Sequence, residues 1–231
     1  MKDTPAGKVG AIIVAAGSSR RMGNIDKMFA QLGGTPVLAR SVDVFNRCSF
    51  VDQIVIVLNQ FNIDRGRGLV AERSWSKVVA VCLGGERRQD SVREGLKRLS
   101  GCQWVAIHDG ARPLISADLI EKGLAAAQES GAAVCAVPVT DTIKVVDTDG
   151  RVLETPARES LWMVQTPQVF RFDIIEKAHR QAEGEVTDDA TLVERLGYKV
   201  KVYMGSYDNI KVTTPQDLVL AEMLLKEREQ R

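Results

Sequence analysis

Five short runs rich in β-branched residues constrain this chain most: AIIVAA from Ala11, QIVIVL from Gln53, KVVAVC from Lys77, QWVAIH from Gln103 and AAVCAVPV from Ala132, with helical patterns between them. Strand alternating with helix is how a parallel sheet is built, so an α/β fold is expected. With 231 residues, 45% of them hydrophobic, the chain can bury one substantial core and is short for two full-sized domains. No repeat, low-complexity segment or linker offers a boundary, so residues 1–231 are expected to form one domain.

The intervening segments carry helix punctuation. Pro36 and Pro215 suit first-turn positions, Asp90, Ser116 and Thr187 suit caps, and Gly197 suits a stop. Thr214-Pro215-Gln216-Asp217 places a capping hydroxyl three residues ahead of a carboxylate, which starts the last helix there with one apolar face packed. One stretch breaks the rhythm. Val139 to Thr155 alternates polar and apolar residues around Asp149-Gly150, a hairpin signal that predicts an arm leaving the core over about residues 139–160.

Charge narrows the function. The 31 basic and 30 acidic residues give a formal charge of +1, so anion binding must be local and general nucleic-acid binding is disfavoured. No apolar run approaches the ~20 residues that cross a bilayer, and the apolar core of the start is too short, so a cytoplasmic protein without membrane attachment is expected. Cys48, Cys82, Cys102 and Cys135 are widely spaced beside apolar runs, a pattern of buried free thiols rather than zinc ligands.

In an open α/β sheet the ligand lies beyond the carboxyl ends of the strands. The first strand is followed by Ala15-Ala16-Gly17-Ser18-Ser19-Arg20-Arg21-Met22-Gly23 and then Lys27, a loop of backbone N–H groups and three cations suited to phosphates. Its spacing fits neither the dinucleotide fingerprint nor a Walker loop, because Asn24 stands where the latter needs lysine. On this loop alone, a tight strand-to-helix turn with solvated arginines stays open. The third run ends in Gly84-Gly85-Glu86-Arg87-Arg88-Gln89-Asp90-Ser91, where Ser91 and the glycine backbone can read a base edge, although a helix cap would account for Asp90. The fourth ends in His108-Asp109-Gly110-Ala111-Arg112-Pro113. Asp109 suits a magnesium ion or a ribose and Arg112 a second anion, with an ordinary loop ion pair as the alternative. His108, inside the strand, reads as structural. Thr142, Lys144, Arg158, Thr166, Thr187 and Lys211 form a second set of possible phosphate and hydroxyl contacts, and Trp162 and Phe170 read as core.

AAGSSRRMG with Lys27, GGERRQDSV, IHDGARP, VTDTIK, TPQVF, TDDA and DNIKVTTPQDL occur in one order across nearly the whole chain. The ordered set closely resembles the 2-C-methyl-D-erythritol 4-phosphate cytidylyltransferase family. That resemblance implies a Rossmann-like, doubly wound, mostly parallel sheet with a projecting β-hairpin arm exchanged in a homodimer. It implies an enzyme of the non-mevalonate isoprenoid route that converts CTP and methylerythritol phosphate, with Mg²⁺ or another divalent cation, to the CDP-linked alcohol and pyrophosphate. Ala15, Ala16, Gly17, Gly85, Asp90, Ser91 and Ala111 would then serve the nucleotide, with Asp109 near ribose and metal. Arg21, Lys27 and Lys211 would face the triphosphate, the first two catalytically. Asp109, Arg112, Thr166 and Thr187 would hold the polyol phosphate, and Thr142 and Arg158 would reach the partner's site. Met28 and Gly110 depart from common family residues without removing a charge assigned to chemistry. A ribitol 5-phosphate cytidylyltransferase would share the nucleotide loops, and a non-catalytic nucleotide-binding protein is the alternative from another class.

A phosphate monoester has a second pKa near ~6, so the attacking oxygen is already anionic at neutral pH. The reaction therefore needs stabilisation of charge at the α-phosphorus rather than a histidine base, and Arg21, Lys27 and Mg²⁺ suit that need.

Overall fold

The five β-branched runs become five parallel strands of one central sheet. The computed structural model of the chain describes residues 7–17 and 26–230. Strand β1 (Lys8–Ala15) is followed by a small pair, β2 (Gln31–Leu32) and β3 (Thr35–Pro36), and by helix α1 (Val37–Arg47). Then come β4 (Gln53–Leu58), α2 (Ile63–Arg73), β5 (Val78–Leu83), α3 (Arg88–Leu96), β6 (Cys102–Asp109), α4 (Ala117–Ser130) and β7 (Ala132–Pro138). The arm carries β8 (Val145–Val146), β9 (Val152–Glu154) and one 3-10 turn at Arg158–Ser160. The remainder is β10 (Trp162–Arg171), α5 (Phe172–Arg180), α6 (Asp189–Arg195), β11 (Lys201–Met204) and α7 (Pro215–Glu229).

The sheet runs β11-β7-β10-β6-β1-β4-β5. All its strands are parallel except β10, which pairs antiparallel with both β6 and β7. The connection explains this: a helix crossover returns the chain in the same direction, whereas the arm is a long hairpin and sends it back reversed. Neither β10 nor β11 belongs to the five sequence runs.

Alternation along β1 divides the core. Val9, Ala11, Ile13 and Ala15 face the layer holding α1 and α4, and Ile12 faces that holding α3, α5 and α6. Helices therefore cover both faces, as the strands' near-continuous apolar runs require. α7 packs separately, with Ala221 against Leu32, Val37, Leu114 and Val212.

Thr214 caps α7, its hydroxyl accepting from Asp217 N while the Asp217 carboxylate accepts from Thr214 N at 2.8 Å. Ser116 caps α4, and Gly197 follows α6 with φ +84°. Two cap expectations are corrected. Arg87 occupies the N-cap of α3 with Asp90 at the third helical position, and Asp188 rather than Thr187 caps α6, accepting from Thr191 N. Cys48, Cys82 and Cys135 are buried free thiols, but Cys102 at the start of β6 is half-buried. Trp162 is also corrected: at the start of β10, paired with Pro138, it is 39% exposed, whereas Phe170 near the other end is fully buried.

Candidate active site

The chain moves from β1 outward to β4 and β5, then returns to place β6 on the other side of β1. The strand order reverses between β1 and β6, so their carboxyl ends diverge into a crevice. A cavity of about 700 Å³ lies there, lined by Val14 to Gly17 at the end of β1, Gly85 to Arg88 and Ser91 before and within α3, Asp109 at the end of β6 and Ala111 after it, and Lys27, Met28, Glu185 and Lys211. The tight approach of α3 requires glycine at its entrance. A Cβ on Gly84 would lie 2.5 Å from Ser91 Oγ and 2.6 Å from Ala16 Cβ. The Ser91 hydroxyl shapes this turn, accepting from Gly85 N and donating to Arg87 O, both at 3.2 Å. Lys27 sits in a turn closed by Asp26, whose carboxylate accepts from Met28 N at 3.1 Å and pairs with Arg65 of α2 at 3.4 Å.

A second cavity, of about 430 Å³, opens on the other side of Asp109. Its walls are mostly polar: Arg112, Gln165, Thr166 and Gln168, with Thr187, Asp188, Thr191 and Glu194 opposite. Arg88, Asp109 and Lys211 line both cavities and form the wall between them. There Arg88 Nε donates to Asp109 Oδ1 at 3.1 Å, and Lys211 Nζ lies 2.7 Å from Oδ2. Burial opposes ionisation of Asp109, but the Arg88 and Lys211 cations outweigh it and hold the carboxyl well below the usual range. Burial likewise works against the charge on Arg88, and Asp189 and Asp109 more than restore it.

Backbone hydrogen bonds fix this wall. Thr166 Oγ1 accepts from Asp109 N at 3.0 Å and donates to His108 Nδ1 at 3.1 Å, while His108 Nε2 donates to Arg112 O at 3.2 Å. The pattern selects neutral imidazole with its proton on Nε2. Burial inside the sheet, opposed by Asp109, pushes the His108 pKa down to about 4. Lys211 is placed by its neighbours: buried Asn209 donates from Nδ2 to Thr166 O at 2.9 Å, and Val212 N donates to Ala111 O at 2.8 Å. Arg112 Nη1 donates to Asn209 O at 2.7 Å, tying the same segment to β6.

Residues 9–227 match the family model IspD, 2-C-methyl-D-erythritol 4-phosphate cytidylyltransferase. The chain belongs to this family of cytidylyltransferases. A Dehalococcoides mccartyi protein of that name is 54% identical, the match covering 95% of this chain and 96% of that protein. One from Geobacter metallireducens is 46% identical, over 94% of this chain and 97% of that protein. The crystal structure of 4-diphosphocytidyl-2C-methyl-D-erythritol synthase from Anaerococcus prevotii superposes with a TM-score of 0.85 at 35% identity, covering 95% of this chain and 96% of that one. These matches agree with the cytidylyltransferase resemblance carried by the ordered motifs and with the α/β sheet expected from the strand runs.

Of the residues expected to serve this cytidylyltransferase site, Ala15, Ala16, Gly17, Lys27, Gly85, Ser91, Asp109, Ala111 and Lys211 line the larger cavity. Asp109, Arg112, Thr166, Thr187 and Lys211 line the smaller. Arg21 lies outside the described residues. Asp90 lines neither cavity; its carboxylate is turned to the Arg87 guanidinium, with Nε 2.8 Å from Oδ2. That ion pair is made at α3's own first turn. Thr142 and Arg158 also line neither cavity: both are exposed on the arm, and Arg158 Nη1 donates to Thr140 O at 3.0 Å.

Sequence reading missed Arg88, Gln168, Asp189 and Asn209. Arg88 and Asp189 stood within GGERRQDSV and TDDA, but nothing local marks which of two adjacent charges turns inward. Among the described residues no three His, Cys, Asp or Glu side chains converge as a metal cage. Asp109 is the carboxylate facing both cavities, which fits a magnesium ion held by one carboxylate together with substrate phosphates.

Proposed function

We propose that this chain transfers CMP from CTP to 2-C-methyl-D-erythritol 4-phosphate, releasing pyrophosphate and forming 4-diphosphocytidyl-2-C-methyl-D-erythritol for the non-mevalonate isoprenoid route. The observation that carries this reading is the pair of cavities meeting at Arg88, Asp109 and Lys211. A nucleotidyl transfer brings two anions together, so it needs two pockets with cations on the wall between them. The larger cavity suits the nucleotide, with the Ala15 to Gly17 and Gly85 to Ser91 segments against base and ribose. The smaller suits a polyol, whose hydroxyls would meet Thr166, Thr187, Thr191, Gln165 and Gln168.

The acceptor phosphate is a dianion near neutral pH and needs no base. One of its oxygens attacks the α-phosphorus, a new P–O bond forms, and the bond to the β-phosphate oxygen breaks with pyrophosphate leaving in line. Lys27 and Lys211 face the negative charge that grows during this exchange, the family resemblance assigns Arg21 to the same charge, and Arg112 holds the acceptor. Asp109 is the residue that would hold Mg²⁺, Lys211 yielding its contact. A bound divalent cation supplies charge neutralisation on the triphosphate.

Arm exchange in a homodimer belongs to the same reading. Val145, Val146, Val152 and Leu153 on the arm, and Trp162, Met163 and Val164 on β10, are exposed apolar side chains. So much apolar surface on a projection suits an interaction site. Val164 also lines the smaller cavity, so a partner's arm laid along β10 would close that cavity and bring Thr142 and Arg158 to it. The proposed location is the cytoplasm; no described helix is long and apolar enough to cross a membrane.

The test is pyrophosphate release from CTP and Mg²⁺ with methylerythritol 4-phosphate and, in parallel, ribitol 5-phosphate. Release with the first alone is expected. Release with ribitol phosphate alone would reassign the acceptor, and CTP binding without release from either would leave a nucleotide-binding protein.

A further inference from the structure

The ion-pair chain continues behind the wall between the cavities. Arg88 Nε reaches Asp109, and its Nη1 donates to Asp189 Oδ2 at 2.6 Å. The third guanidinium nitrogen, Nη2, has no acceptor among the described residues. Asp189 is fully buried at the first position of α6, and its other oxygen lies 3.1 Å from His179 Nε2. Its backbone is equally constrained: Gln168 Oε1 accepts from Asp189 N and Ala190 N, both at 3.2 Å. A charged carboxylate at complete burial is retained only when its partners satisfy it, and truncating one partner leaves the other charge uncompensated. Asp189 lines neither cavity, so it does not touch substrate. Arg88 touches both.

We propose that Asp189 is a positioning residue for CMP transfer: by holding Nη1 of Arg88 from behind, it keeps the guanidinium at the junction of the two cavities, with Nε on Asp109 and Nη2 turned toward the phosphates. The proposal rests on transfer taking place at that junction. Without the Asp189 charge, Arg88 keeps one of its two carboxylates and can swing about it. Ground-state CTP, held by the loops on the far side of the larger cavity, is affected less than the transition state that forms at the wall. His179, packed on the opposite oxygen, sets the angle of the Asp189 carboxylate and with it that of Arg88.

The experiment is steady-state kinetics with CTP and methylerythritol 4-phosphate on Asp189→Asn, Arg88→Gln and the double variant, each checked for a cooperative thermal transition. Asp189→Asn is expected to lower kcat roughly tenfold or more while KM for CTP changes by less than about threefold. In the Arg88→Gln background the same substitution is expected to cost no further turnover, because the two residues act as one unit. Wild-type kcat in folded Asp189→Asn, or losses that multiply in the double variant, would overturn the proposal. Should Asp189→Asn alone fail to fold, the double variant removes both charges together, and its kcat against Arg88→Gln decides: equality supports the role and a further loss refutes it. An inactive wild type in the same assay would instead refute the cytidylyltransferase reading itself.

Discussion

A single carboxylate, Asp109, organises the site because a cation reaches each of its oxygens, Arg88 one and Lys211 the other, and the residues around it carry separable predictions. Lys27 lines the larger cavity. Lys27→Ala is expected to lower kcat by ~10²-fold while raising the Kd for CTP far less, measured by turnover and by calorimetric titration. Equal losses in both would contradict its assignment to the transition state. His108 predicts a stability profile. Its folded pKa of about 4 lies below the value of 6.5 expected in the unfolded chain, so the unfolded state takes up the proton first. Its contribution is complete above pH ~6.5 and declines as pH falls toward about 4. Asp109 and Asp189 are also held low, burial opposing and Arg88 favouring their ionised forms, so their losses come further down, below the ordinary carboxylate range. Urea denaturation at a series of pH values should show the upper part of the decline in wild type and its absence in His108→Gln.

At the scale of elements, local chemistry and tertiary contact divide the work. The capping box of α7 is written in four consecutive residues, and the structure forms it as written. Thr214→Ala is expected to lower unfolding stability by about 1 kcal/mol in urea titration and to leave kcat unchanged, since Thr214 lines neither cavity. The hairpin around Asp149-Gly150 was equally legible: Gly150 has φ +78°, a conformation glycine adopts without cost. β10 was not. Its sequence WMVQTPQVFR contains a proline and two glutamines, which argue against a central strand. Gln165 and Gln168 are nevertheless buried there because Ser206, Asn209, Asp188 and the α6 backbone satisfy them. None of those partners is near in sequence. The last helix shows the reverse. Its apolar residues lie on more than one side, with Val219 and Met223 left exposed while Ala221 packs inward.

At the scale of the molecule, the arm leaves Val145, Val146, Val152 and Leu153 exposed, and the proposed homodimer would cover them. Leu153→Asp combined with Val146→Asp is expected to convert a dimer to monomers in sedimentation and to lower turnover strongly, with Thr142 and Arg158 withdrawn from the partner's smaller cavity. A monomer that retains full turnover would remove the arm from the active site. By itself the sequence determined the alternation of strand and helix, the hairpin, the caps at Ser116 and Thr214 and the glycine-rich turns, because each depends on side chains a few residues apart and on periods of 2 and 3.6. The ordered motifs likewise contain Ala15 to Gly17, Gly85, Ser91, Asp109, Arg112, Thr166, Thr187 and Lys211, which line the two cavities. Tertiary structure alone decided the reversed course of β10, the clamp of Asn209 on β10, the inward turn of Arg88 rather than Arg87, and the burial of Asp189. Each of these exchanges water for a partner tens of residues away, and a buried polar group is tolerated only where such a partner waits.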